Sequence, residues 1–295
     1  MIAAASTAAM SGCLLSSSEK IRLRTKLAFS KGVHTVSLFS RFKDPLLDLY
    51  RSGPAFLLGA IKARFSANST VNIKISTNQA ICVRPRQSDF DTLRQIFRDQ
   101  DYKLPHHVSK RVLGEYERII ANGMVPVILD AGANIGAASI WFKIQFPNAA
   151  IIAIEPDPAS ALVARRNIAG LKDVILLEAA IGGTPGFVSM APAKHAWAVK
   201  TERATDGCTI VTVDEATGHF PSGRLLLAKI DIEGFESDLF SGDLRWMDDV
   251  FAVIIEPHDW MMPGKGSSRS FQAAFGNRDF EIFSRGENLI YLRRD

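Results

Sequence analysis

The sequence predicts an α/β fold built on a largely parallel sheet covered on both faces. Three observations carry this. From Pro126 onward, short all-apolar runs at 127–129, 150–154, 174–177, 225–230 and 251–255 alternate with segments of helical spacing. Strands buried on both faces read as continuous apolar runs of this kind. The first run is followed by a glycine-bearing turn, Asp130-Ala131-Gly132-Ala133-Asn134-Ile135-Gly136, and an acid, Glu155, ends the second run nineteen residues beyond Gly136. In such sheets ligands bind beyond the carboxyl ends of the strands, so chemistry is sought just after each run.

The elements follow in order. Residues 19–43 hold seven basic side chains (Lys20, Arg22, Arg24, Lys26, Lys31, Arg41, Lys43) against Glu19 alone. They read as a solvated, partly disordered extension, or as a surface for anionic lipid. Pro54 opens an apolar helix to Phe65, and its Leu58, Ile61 and Phe65 share a face that reads as packing more readily than as membrane contact. Val71, Ile73 and Ile75 alternate with polar residues, Thr77-Asn78-Gln79 turns, and 80–83 is apolar, which predicts a hairpin. Ser88 with Asp91 predicts a capping box, and a second helix spans 109–121 with Leu113, Tyr116 and Ile120 inward. Helices then span 135–146 and 158–168, the latter capped by Asp157-Pro158. Residues 187–190 and 210–213 read as an added hairpin, 267–275 as a short helix, and 280–283 with 289–292 as a final strand pair.

Composition narrows the classes. The 295 residues are 47% hydrophobic and 22% charged, which excludes disorder over the whole chain. A net charge of +4 is too small to argue for nucleic acid, and none is expected as a partner. Three scattered cysteines, Cys13, Cys82 and Cys208, exclude a disulfide scaffold and a cysteine-rich zinc site. They fit a reducing compartment, and a cytoplasmic location is expected. No run of eighteen apolar residues exists, so no transmembrane helix is expected, and residues 1–15 lack the basic start of a secretory leader.

The strand ends carry the chemistry. Gly132 permits a sharp turn and a close ligand, and Gly136 permits tight packing of the next helix. The spacing is not the three-glycine dinucleotide pattern. Asp130 would repel a pyrophosphate and suits a ligand bearing an ammonium group. Glu155 stands where an acid accepts both hydroxyls of a ribose; its bland alternative is a carboxylate complementing a helix dipole. Turn and acid together point to an adenosine-type ligand. Asp231, Glu233 and Glu236 crowd three carboxylates at the fourth strand end, which raises pKa values or calls for a cation. The fifth ends Glu256-Pro257-His258-Asp259-Trp260, and His258 is the candidate general base.

These residues resemble the FkbM family of S-adenosylmethionine-dependent methyltransferases over about residues 71–295. The likeness rests on the 130–136 loop, Glu155-Pro156, Glu178-Ala179-Ala180-Ile181-Gly182, Val213-Asp214 and, above all, Lys229-Ile230-Asp231-Ile232-Glu233-Gly234-Phe235-Glu236. It implies a Rossmann-like class I methyltransferase sheet of seven strands, mostly parallel with an antiparallel last strand, following a basic N-terminal extension over 1–70. It also implies O-methylation of a hydroxyl on a sugar or secondary metabolite, with S-adenosyl-L-methionine as cofactor and a small-molecule or glycan acceptor as partner. The cofactor set is then Asp130, Gly132, Asn134, Gly136, Glu155, Pro156, Ala179, Ala180 and Asp231. The catalytic set is His258, Asp231 and Glu233, with no metal assigned. Residues 260–264 are expected as a lid or acceptor wall, or as ordinary loop packing. Pro257 departs from the family pattern. Two other readings stay open: a nicotinamide-dependent dehydrogenase, disfavoured by the missing glycine and by Asp130, and a non-catalytic binding module. The basic N-terminus adds an expected weak contact with a membrane surface.

Overall fold

The computed structural model describes residues 38–76, 79–192, 199–260 and 263–294. The chain divides into two compact units, 1–44 and 45–295. Of the first, only 38–44 are described, as the opening of helix α1 (Leu38–Ser52). The basic positions from Lys20 to Lys31 lie outside the described residues.

In the second unit, Gly53 at φ 82° links α1 to helix α2 (Pro54–Phe65). Asp48, fully buried, accepts from Arg94 Nη2 at 2.8 Å and Arg98 Nη1 at 3.0 Å. Helix α2 turns Phe56, Gly59 and Ala63 inward, with Gly59 lying directly over Ile73. The small residues let the backbone approach closely. The Leu58, Ile61 and Phe65 face, read as packing from the sequence, is therefore left outward, at 65%, 47% and 78% exposure. No helix among the described residues is long and apolar enough to cross a membrane.

Strands β1 (Val71–Lys74) and β2 (Ala80–Val83) form the predicted antiparallel hairpin, whose turn residues Thr77 and Asn78 lie outside the described set. Helix α3 (Asp89–Leu93) continues into a π turn (Arg94–Arg98). The expected capping box is not formed: Ser88 is itself helical and makes no cap bond. Buried Asp89 instead holds the Arg84 guanidinium through Nε at 3.0 Å and Nη2 at 2.8 Å. Helix α4 (His106–Ala121) buries Val108, Val112, Tyr116 and Ile119, while the expected Leu113 and Ile120 are 43% and 38% exposed. The buried stripe is thus rotated from the one the sequence suggested.

The alternating region follows as predicted: β3 (Val125–Ala131), α5 (Ala137–Gln145), β4 (Ala150–Ile154), α6 (Pro158–Ile168) and β5 (Val174–Leu177). Asp157 caps α6 by accepting from Ser160 N at 2.8 Å. Next come β6 (Ala180–Ile181), β7 (Gly186–Pro192), β8 (Val199–Ala204) and β9 (Cys208–Val211), a separate sheet in the order β6-β9-β7-β8. The expected pairing of 187–190 with 210–213 exists as β7 against β9, but with two further strands. Val213 is not in β9. It opens helix α7 (Val213–Thr217), because Thr212 and Glu215 form a capping box. Then β10 (Gly223–Ile230), α8 (Glu236–Leu239), α9 (Trp246–Asp249), β11 (Ala252–Ile255), α10 (Arg269–Gly276), β12 (Phe280–Arg285) and β13 (Asn288–Arg293) complete the chain.

The main sheet has the order β12-β13-β11-β10-β3-β4-β5. Only β13 runs against the rest, so the chain has the Rossmann-like class I methyltransferase arrangement. One irregularity sets its chemistry. Leu225 lies opposite Val127, but Leu227 lies opposite Ile128, so Leu226 is an extra residue in β10. Leu226 and Leu227 consequently face the same layer, with Ile128, Ile151 and Ile254, while Leu225, Ala228 and Ile230 face the other. Past this bulge Lys229 stands opposite Asp130.

The chain leaves β3 through Gly132 at φ 76°, where a Cβ would meet the Asp231 carbonyl oxygen at 1.7 Å. Gly132→Ala must both strain the backbone and push two strand ends apart. It should destabilise the fold by about 2–5 kcal/mol in urea unfolding. A change below about 0.5 kcal/mol, the scale of neutral surface substitutions, would contradict this close approach.

Candidate active site

The carboxyl ends of β3 and β10 are joined by a buried ion pair. Asp130 is fully buried; Ser139 Oγ donates to its Oδ2 at 2.6 Å, and Lys229 Nζ lies 3.2 Å from its Oδ1. The same ammonium donates to the carbonyl oxygens of Gly132 at 2.6 Å and Ala131 at 3.3 Å, and sits 3.4 Å from Asp231 Oδ2. Burial opposes its charge, yet Tyr102, Asp130 and Asp231 around it hold its pKa well above the ordinary lysine value.

Beyond these strand ends lie two cavities. One, of about 300 Å³, is lined by Arg84, Glu155, Pro156, Ala179, Ala180, Ile181 and Phe235, among others. Glu155 Oε2 accepts from Asn134 N at 2.7 Å and Oε1 from Asp157 N at 2.9 Å. Burial pushes the Glu155 carboxyl up to about 7 in spite of these two amides, which favour the charged form. Each carboxylate oxygen keeps a free lone pair. Asn134 at φ 50° tolerates the left-handed conformation that aims its amide at Glu155.

The other cavity, of about 370 Å³, is lined by Tyr102, Lys229, Asp231, Glu233, Glu256, His258 and Trp260, with polar residues of 88–95 on its far wall. His258 is only 2% exposed, and its Nδ1 donates to Glu236 Oε1 at 2.6 Å. Its Nε2 faces Asp231 Oδ1 at 3.6 Å and Glu256 Oε1 at 3.9 Å. Burial acts to lower the imidazole pKa, but the Glu236 hydrogen bond and the charges of Glu236, Asp231 and Glu256 raise it to about 9. Burial, reinforced by Asp231, pushes Glu233 and Glu256 each up to about 7. Glu233 at φ 52° is itself a strained residue at the point where the chain turns away.

The structure brings together most of the residues the sequence singled out. Gly132, Asn134, Asp231 and Glu233 line both cavities. Glu155, Pro156, Ala179 and Ala180 line the smaller one, and His258 the larger. Two differ. Asp130 lines neither cavity, because Ser139 and Lys229 take its carboxylate. Gly136 is also withdrawn, at φ 77° and packed so that a Cβ would come within 3.1 Å of Ile168. Of the residues 260–264, Trp260 lines the larger cavity, Pro263 and Gly264 do not, and Met261 and Met262 lie outside the described residues. Asp259 is occupied by Ser267 and Ser268.

Two residues, Lys229 and Glu256, were missed as site members, and Glu236 was read only as one of three crowded carboxylates, with no assigned role. Lys229 belongs to the quoted run, where alternation places it and Asp231 two apart at the strand end. Glu256 ends the fifth strand just as Glu155 ends the second, and the rule that drew attention to one applies to the other.

No family model matches the chain. It is 28% identical over 196 residues to methyltransferase sdnD of Sordaria araneosa, covering 53% of this chain and 74% of that protein. Among solved structures, it is similar to cofactor-bound Rv0187 from MTB, with TM-score 0.42, 13% identity, and coverage of 86% of this chain and 96% of that one. It is also similar to a methyltransferase from Geobacter sulfurreducens, with TM-score 0.34, 17% identity, and coverage of 69% and 88%.

Removing one partner of a buried pair leaves the other charge uncompensated. Lys229→Met should therefore cost roughly 3–5 kcal/mol of stability, with part of the loss restored when Asp130→Asn is added. If the single variant melts like the parent, the pair does not hold the two strand ends.

Proposed function

We propose that the chain is an S-adenosylmethionine-dependent methyltransferase acting on a hydroxyl of a small molecule or glycan. The observation that carries this is the junction of the two cavities at Gly132, Asn134, Asp231 and Glu233. A donor chamber and an acceptor chamber that meet at a narrow shared wall suit a single-atom transfer between two bound molecules. The 28% identity to a curated methyltransferase supports the same reading.

The donor chamber fits the cofactor. Glu155, with two amides on its carboxylate and lone pairs to spare, suits a pair of ribose hydroxyls. Pro156, Ala179, Ala180 and Ile181 form an apolar slot of the kind an adenine ring requires. Asp130 does not reach the chamber, so the ammonium of the methionine end falls to the wall that both chambers share, where Asp231 and Glu233 are the acids. When bound, the cofactor supplies an activated methyl group on a sulfonium. The protein's part is alignment and proton removal. With the cofactor held by Glu155 and the shared wall, the acceptor oxygen would take the methyl group, the sulfonium would leave as a neutral thioether, and the hydroxyl proton would pass to the wall of the acceptor chamber. Asp231, Glu233 and His258 form that wall together with Glu256.

Glu155 supplies the test. Ribose hydroxyls donate to the charged carboxylate, so cofactor binding lowers its pKa from about 7 and releases a proton. Affinity is then full above pH 7 and falls as pH drops below it, by roughly tenfold at pH 6. Glu155→Gln should lose this dependence, and Glu155→Ala should weaken binding by about 1.5–3 kcal/mol. Calorimetric titration with S-adenosylmethionine, set against NAD, measures all of these. Tight NAD binding without S-adenosylmethionine binding would replace this reading with the dehydrogenase. S-adenosylmethionine binding with no methyl transfer to any hydroxyl acceptor would favour the binding module.

A further inference from the structure

The acceptor chamber holds a grouping that the transfer reaction alone does not account for. Asp231, Glu256 and His258 each present one ligand-type atom, and the three atoms lie within 4.8 Å of one another. The contacts from His258 Nε2 to the two carboxylates, 3.6 and 3.9 Å, are longer than hydrogen bonds. Neighbouring ligands of an octahedral ion bonded at about 2.1–2.2 Å stand roughly 3.0 Å apart, so the three groups surround the space for a cation and would close by less than about 1 Å on binding it.

The surroundings of His258 add an independent sign. Its ring is nine-tenths or more buried, and Nδ1 is committed to Glu236, itself buried and also accepting from Gly234 N at 3.2 Å. The carboxylate thus fixes the ring plane, and a cation at Nε2 would take the place of the proton there. The second nitrogen is left aimed into the chamber with no partner at hydrogen-bond distance among the described residues. A buried carboxylate behind one imidazole nitrogen, with the other directed at an open site, is the arrangement by which proteins orient metal-ligating histidines. Asp231 is split in the same way: Oδ2 faces Lys229 while Oδ1 faces the cluster. The charge balance agrees. Asp231, Glu233, Glu236 and Glu256 meet here, and Lys229 is already shared with Asp130. A sulfonium in the neighbouring chamber supplies one positive charge only.

We propose that Asp231, Glu256 and His258 bind a divalent cation in the acceptor chamber, through Oδ1, Oε1 and Nε2, with Glu236 as the positioning residue behind His258. Two carboxylate oxygens and one imidazole combine hard ligands with a borderline one, a set that suits Mn²⁺. Three ligands leave open positions on an octahedral ion. An acceptor hydroxyl in one of them is polarised and loses its proton more readily. This deepens the methyltransferase reading and gives His258 the part of ligand in place of proton acceptor.

The test uses the full-length protein, freed of metal by chelation and titrated with Mn²⁺ in the absence of S-adenosylmethionine, by electron paramagnetic resonance. One Mn²⁺ should bind per chain and raise the melting temperature. Glu256→Gln, on the chamber wall, should weaken binding at least tenfold, as should His258→Gln. Asp279→Asn, an exposed carboxylate outside the chamber, should leave it unaltered. If His258→Gln does not fold, Glu236→Gln, which loosens the ring while sparing the ligands, should weaken Mn²⁺ by a smaller factor. Absence of a stoichiometric site, or binding indifferent to Glu256→Gln, overturns the proposal. If S-adenosylmethionine binds while Mn²⁺ does not, the cation alone is rejected. Mn²⁺ binding without S-adenosylmethionine binding would reject the transfer reaction and keep the site.

Discussion

The Asp130–Lys229 pair is the constraint on which the site depends. A buried ammonium is tolerated only where anions and carbonyl oxygens surround it. Lys229 meets this need by collecting Asp130, Asp231 and the carbonyls of Ala131 and Gly132 around one atom. The groups so collected are the end of β3, the first turn of its loop and the start of the loop after β10. Each would otherwise be free to move with its own loop. The charge that is costly to bury thus ties together the two backbones that stand between the two cavities.

The two chambers divide the labour by polarity. The smaller has an apolar stretch, Pro156, Ala179, Ala180 and Ile181, with Glu155 and Asp157 beside it and Asp231 and Glu233 on the wall that it shares. The larger is acidic, with Asp231, Glu233, Glu256 and Glu287 on its surface. On the proposed function, this field suits a neutral hydroxyl better than a phosphate or a carboxylate as long as no cation offsets it.

Much of this was legible in the sequence for a simple reason. Strands buried on both faces are written as apolar runs, and parallel sheets place the following residues at the ligand edge, so Gly132, Glu155, Asp231, Glu233 and His258 announced themselves. What stayed hidden is competition between partners. Asp130 reads as a ligand contact until Lys229, a hundred residues away in sequence, claims it. Ser88 reads as a cap until Asp89 takes Arg84 and the first turn closes without it. The face of α2 was misread because Gly59 and Ala63, unremarkable in a hydrophobicity pattern, allow a closer approach than Leu58 or Phe65 would. Strand β8 is a polar alternation on a side sheet, with no apolar run to mark it.

The extra residue at Leu226 has a consequence for how such a strand can change. Side chains alternate along β10, so below the bulge even and odd positions face opposite layers to those they face above it. Paired as a regular strand with every residue kept, Lys229 would fall on the far side of the sheet from Asp130. The strand therefore behaves as two joined segments in opposite phase, one written for the core and one for the ligand edge. Deleting Leu226 would leave Leu225 and Leu227 to alternate in a regular ladder with Lys229 still opposite Asp130, whereas inserting one more residue there would call for a second bulge. Without that bulge the insertion would exchange the layers that the following side chains face and turn the lysine away from every group that it now holds.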